Sequence, residues 1–164
     1  MKKVNRFIAV LAVFMACAAM ANAESVMEQM QKLMEEGQKA ANAAQYQRAI
    51  GLWGKGLELA KQSGNKKAMG AFTGNIGVVY KNMGQYEKAL SFYEAALAIH
   101  KEIGDRRGEG SNLSRIGDVY LNLGQYEKAL FFYEAALTIH KEIGDRRGEG
   151  SDLTNILKGF PKFN

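Results

Sequence analysis

The chain has 164 residues, with 22 Lys and Arg against 17 Asp and Glu, a net charge of +5 and a single cysteine. That length suits one domain with a core of useful size. One cysteine excludes an internal disulfide and any metal site built on several thiolates.

Residues 1–23 read as a secretory signal. Lys2, Lys3 and Arg6 make a positive start, Phe7 to Ala21 carry no charge, and Ala21-Asn22-Ala23 offers the small-x-small pattern that signal peptidase cuts. The uncharged run is shorter than the roughly 20 residues a membrane-spanning helix needs, so cleavage before Glu24 is expected over a retained N-terminal anchor. Cys17 lies in this segment, but Phe14-Met15-Ala16 before it does not suit a lipoprotein signal. Cleavage takes away three basic residues and no acidic ones, leaving 19 against 17, a net of +2. The basic character is therefore partly the signal's and makes no case for nucleic acid. The expected product, residues 24–164, is periplasmic or secreted and has no membrane span.

The remainder is organised by a repeat. Gly84–Ser111, GQYEKALSFYEAALAIHKEIGDRRGEGS, returns 40 residues later as Gly124–Ser151 with 26 of 28 positions identical; only Ser91/Phe131 and Ala98/Thr138 differ. A fixed period of this length marks stacked units that bury their apolar sides against one another. A first, diverged copy stands in register, with Gln45-Tyr46, Ala49, Trp53 and Gly56 where the next has Gln85-Tyr86, Ala89, Tyr93 and Ala96. Apolar residues at spacings of three and four, with Lys and Glu between them, predict helices near Ser25–Ala43, Tyr46–Ser63, Asn65–Met83, Tyr86–Ile103, Asp105–Leu123 and Tyr126–Ile143. A seventh begins near Asp145 and ends by Pro161. Gly64, Gly104 and Gly144 are the stops, and Asn65, Asp105 and Asp145 cap the helices that follow.

The spacing Ile76-Gly77-x-x-Tyr80, then Gly84-x-Tyr86-x-x-Ala89-x-x-x-Tyr93-x-x-Ala96, resembles the tetratricopeptide repeat, and Ile116 through Ala136 repeats it. The usual period of that family is about 34 residues, so the likeness is to a subgroup of longer period. The proline common at its repeat ends is missing here. The resemblance implies an all-α fold, a right-handed α-solenoid of antiparallel helix hairpins. Its units fall at about 30–69, 70–109 and 110–149, with a partial, capping unit at 150–164. It also implies a concave groove, lined by the first helix of each unit, that holds an extended peptide or a partner's helix.

The stripe of each first helix not committed to packing supplies the candidate groove residues. One set of equivalents is Glu35, Asn75, Arg115 and Asn155, a second is Gln38, Val78 and Asp118, and a third is Asn42, Asn82 and Asn122. Asparagine amides both donate and accept, which suits holding a peptide backbone, although Asn near a helix end also serves that end. The clamp by which relatives hold chaperone tails maps onto Met34, Gln38, Asn75, Ser111 and Arg115; only Asn75 and Arg115 match, and it is rejected.

Other constellations read as structural. His100 and His140 sit near helix C-termini, with no serine or acid expected around them. Met27, Met30 and Met34, with Val26 and Leu33, form an apolar stripe expected in the core. Asp105-Arg106-Arg107 and its copy at 145–147 read as solvated, partly paired helix starts. No phosphate loop or nucleophile–base pair appears, so no enzyme activity, cofactor or metal is expected. The expected function is that of an exported, non-catalytic adaptor or scaffold binding a protein or peptide partner. The alternatives are a homo-oligomer formed through Phe131, Phe160 and Phe163, or a fragment of a longer array.

Overall fold

The computed structural model of the protein describes residues 23–159, all in helices and the short turns between them. Helix α1 spans 23–42, and α2 (Tyr46–Gln62), α3 (Lys66–Asn82), α4 (Tyr86–Glu102), α5 (Arg106–Asn122), α6 (Tyr126–Glu142) and α7 (Arg146–Gly159) follow. The expected boundaries hold to within a residue or two. The fold is an all-α solenoid in which each helix packs on its neighbours in sequence. Helices α3, α5 and α7 also touch one another across the hairpins, whereas no such contact joins α2, α4 and α6 among the described residues. The odd-numbered helices therefore form the inner row and the even-numbered ones the outer row.

Two kinds of turn set this geometry. At the turn back to each inner helix, Gly64, Gly104 and Gly144 take φ near +68°, which ends the helix at little steric cost. The next side chain then caps: Asn65 accepts from the Ala68 N–H at 3.0 Å, Asp105 from Gly108 at 3.0 Å and Asp145 from Gly148 at 3.1 Å. The turn from inner to outer helix uses Gly84 and Gly124, but in the first unit Ala44 takes the same left-handed conformation with φ 56°. A Cβ there is strained.

The core is a row of rings set into notches on the inner helices. Tyr93 and Tyr133 are fully buried. Each lies over a glycine, Gly77 or Gly117, where an added Cβ would stand 2.8 Å from the ring. In the first unit Trp53 fills the notch at Gly37 and donates its indole N–H to the Met34 carbonyl at 3.2 Å. Burying one such ring contributes about 1.5–3 kcal/mol, and the glycine is what allows the approach. Tyr80 stacks on Phe92 and Tyr120 on Phe132, with centroids 5.2 and 5.4 Å apart, which closes the outer ends of the hairpins.

Candidate functional site

The inner row presents the sequence-selected positions along one face, in unequal states of freedom. Glu35, Gln38, Asn42, Asn82 and Asn122 are exposed; Asn75, Val78, Arg115, Asp118 and Asn155 are half-buried. Asn42, Asn82 and Asn122 are each the last residue of their helix. Gln38 donates to Asn42 at 2.8 Å, and Asn75 places its amide 3.0 Å from the Met34 sulfur. Asp118 is a tie between units. It accepts from Tyr133 at 2.9 Å, from Lys81 at 2.9 Å and from Asn155 at 3.4 Å. Arg115 has no carboxylate partner among the described residues.

Phe131 stands 67 % exposed on the outer row, as the Ser91/Phe131 difference suggested. Leu157 on α7 is also exposed. Phe160 and Phe163 lie outside the described residues, as does the expected signal apart from its last residue. Among the described residues no helix is long and apolar enough to cross a membrane. None of their His, Cys, Asp and Glu side chains gather in threes to hold a metal.

Two expectations need correction. His140 does have an acid and a serine beside it. Its Nδ1 donates to Asp152 at 2.7 Å, and the Ser114 hydroxyl donates to the other oxygen of the same carboxylate at 2.6 Å. Asp152 is fully buried, so the two donors satisfy a group that would otherwise be costly to hide. The hydroxyl faces the acid and not the imidazole, so this is a structural tie of α5 and α6 to α7 and not a nucleophile with its base. One repeat earlier Asn112 stands where Asp152 would be, and the His100 Nδ1 pairs instead with Asp105, the N-cap of α5, at 3.0 Å. Periodicity alone does not bring Ser114, His140 and Asp152 together, because two of the three differ from their equivalents Gly74 and Asn112.

The methionine stripe, expected in the core, is only partly buried. Met30 is buried, but Met27 is 56 % exposed. Together with Met34 they line an open cleft of about 650 Å³ between α1 and α3, floored by Phe72 and edged by Glu24, Glu28 and Glu35. A second cleft of about 530 Å³ opens between α5 and α7. It carries Arg107, Arg115 and Arg147 with Ser111, Ser114 and Ser151, and its floor is Asp152. The two occupy equivalent places in the repeat, two periods apart. Met27 corresponds to Arg107, Met34 to Ser114, Glu35 to Arg115 and Phe72 to Asp152.

Tyrosine environments differ along the same row. Burial pushes the Tyr133 phenol well above its ordinary value, and the Asp118 carboxylate adds to this. Burial raises Tyr93 likewise, with nearby Arg115 opposing, and its hydroxyl has no hydrogen-bond partner because Val78 stands where Asp118 would be. The charged turns are also engaged. Arg106 bridges Glu109 of its own helix to Glu142 of α6 within one hairpin, and Arg107 meets Asp145 at the start of α7 at 3.0 Å, so these exposed turns are partly paired, and Arg107 joins one hairpin to the next.

A row of inner helices, a row of outer helices and glycine notches filled by rings define a helical-hairpin solenoid. Residues 67–142 match the family model described as tetratricopeptide repeat. Among solved structures, the TPR2AB domain of yeast Sti1, in complex with pHSP90, is 26 % identical with a TM-score of 0.67, over 79 % of this chain and 45 % of that one. Aspartyl phosphate phosphatase F from Bacillus subtilis is similar at a TM-score of 0.76 and 20 % identity, over 81 % and 35 %. The TPR domain of Arabidopsis FLU is similar at 0.65 and 21 %, over 71 % and 98 %. The chain thus spans less than half of the first two proteins it resembles. No curated protein sequence matches it. The fold is that of the tetratricopeptide-repeat solenoids, which generally serve as interaction modules.

Proposed function

We propose that the protein is an exported, non-catalytic adaptor that holds an extended peptide or a helix of a protein partner along its inner face. The observation that carries this reading is the pair of open clefts on that face, of about 650 and 530 Å³, one at each end of the array. Asn75 between them, and Asn82 and Asn122 at the far ends of α3 and α5, offer amides suited to a peptide backbone. The likeness to the Sti1 domain, itself found in complex with pHSP90, supports a protein partner for such a fold. Export rests on residues 1–23 alone. A product recovered from the periplasm or medium with an intact mass beginning at Glu24 supports it; a product retaining Met1 contradicts it.

The binding reading is tested by photo-crosslinking. A photoreactive residue at Asn75 or Asn155 on the inner row should give an adduct with a partner chain, and the same residue at exposed Ser91 on α4 should not. Equal adducts from both rows, or none from the inner one, contradict it. A second reading is self-association through the outer row, favoured by the exposure of Phe131 on α6. Light scattering over a range of concentrations decides it. A dimer lost in Phe131→Ser supports self-association, and a monomer at every concentration excludes it.

A further inference from the structure

Resting on the peptide-binding reading, we infer that the groove is polarised. It takes a segment that presents apolar side chains, flanked by basic ones, to the α1/α3 cleft and an acidic cluster to the α5/α7 cleft. The charges that each cleft leaves free differ in sign.

In the α5/α7 cleft every carboxylate is already engaged. Asp152 is buried beneath Ser114 and His140. Asp145 caps α7 and meets Arg107, and Asp118 holds Tyr133, Lys81 and Asn155. Arg115 and Arg147 have no carboxylate partner among the described residues, so the free charge of this cleft is positive. Guanidinium forks between serine hydroxyls suit carboxylates, which they hold in pairs of parallel hydrogen bonds.

The α1/α3 cleft is the reverse. Its walls are Met27, Met30, Met34 and Phe72, flexible thioethers and a ring that adapt to an apolar side chain. Glu24, Glu28 and Glu35 at its rim take part in no ion pair among the described residues, so its free charge is negative. Inner helices pack roughly 8–10 Å apart, and two such steps separate the cleft centres. An extended chain advances about 3.3 Å per residue, so the apolar and acidic anchors should lie about five or six residues apart.

The test is selection of random 16-residue peptides displayed on phage against the purified protein, followed by fluorescence anisotropy of the enriched sequences. Enriched peptides should carry an apolar pair and two or more acidic residues at that separation. Exchanging the acids for glutamine should weaken binding about 10-fold. Arg115→Glu with Arg147→Glu should produce the same loss and leave the glutamine peptide unaffected. Enrichment of peptides lacking acidic residues, or an equal loss for both peptides in the arginine variant, overturns the polarity while leaving the adaptor reading intact. If no peptide is enriched, both readings fall. Circular dichroism of the variant, matching that of the parent, separates lost binding from lost folding.

Discussion

The two ends of the array apply one repeat plan to unlike materials. At the N-terminal end Trp53 fills the glycine notch, Phe72 floors the cleft, Asn65 caps and Ala44 makes the turn. At the C-terminal end the equivalents are Tyr133, Asp152, Asp145 and Gly124. The backbone is the same, yet the first end is held mainly by apolar contact and the second by hydrogen bonds between units. A polar floor needs its partners nearby, and Ser114 and His140 supply them. The teaching is that a repeat constrains the notch and the turn, whereas the residue at the floor sets what each cleft can hold.

The floors give the largest expected effects. Phe72→Ala should cost about 3–5 kcal/mol by opening a cavity. Asp152→Ala should cost about 3 kcal/mol by opening a cavity and leaving the buried His140 Nδ1 without its acceptor, while Ser114 keeps the Gly110 carbonyl. Denaturant unfolding measures both. If Asp152→Ala were neutral, the polar end would not depend on that carboxylate and the contrast would collapse.

The tyrosines sharpen the same point on two nearly identical units. Tyr133→Phe should cost about 1.5–3 kcal/mol, since its hydroxyl donates to a carboxylate. Tyr93→Phe should be neutral or slightly stabilising, because its buried hydroxyl has no partner. Equal losses would mean that Asp118 contributes nothing specific. A smaller gain is expected from Ala44→Gly, about 1 kcal/mol, by relieving the left-handed turn that Gly84 and Gly124 make without strain. A lowered Tm in that variant would contradict the strain.

The caps give the finest distinction, in acid. The Gly148 N–H and then Arg107 hold the Asp145 carboxyl below its ordinary value. At Asp105 burial works the other way but is outweighed by the Gly108 N–H and His100. A carboxyl lowered on folding supplies stability above the ordinary carboxylate range and loses it as pH falls through the lowered value. Asp145→Asn keeps an acceptor for the cap and removes the titration, so the acid limb of a Tm-against-pH curve should flatten. Asn65→Asp should steepen it. An unchanged limb in both variants would show that these caps do not govern acid stability.

Much of the fold was legible because it rests on local chemistry repeated at a fixed period. Gly104 as a stop, Asp105 as a cap and Gly77 beneath Tyr93 can each be read from residue type and spacing. The clefts were not legible in the same way. Met27 and Met34 share the apolar stripe of Met30, and only the position of α3 decides that all three wall an opening in which Met30 is buried and Met27 exposed. Ser114, His140 and Asp152 come from three helices, and their meeting depends on how α7 sits. The sequence places Asp118 in the inner row, but the register of α6 against α5 turns it toward Tyr133.

The polarity of the groove is tested most directly by the order in which a bound peptide lies. An enriched peptide carrying a nitroxide at its apolar end should broaden the ε-methyl signals of Met27, Met30 and Met34 and spare the amides of Ser111 and Ser151. Moving the nitroxide to the acidic end should reverse the pattern. Equal broadening of both clefts from either end, or of the methionines from the acidic end, would contradict it.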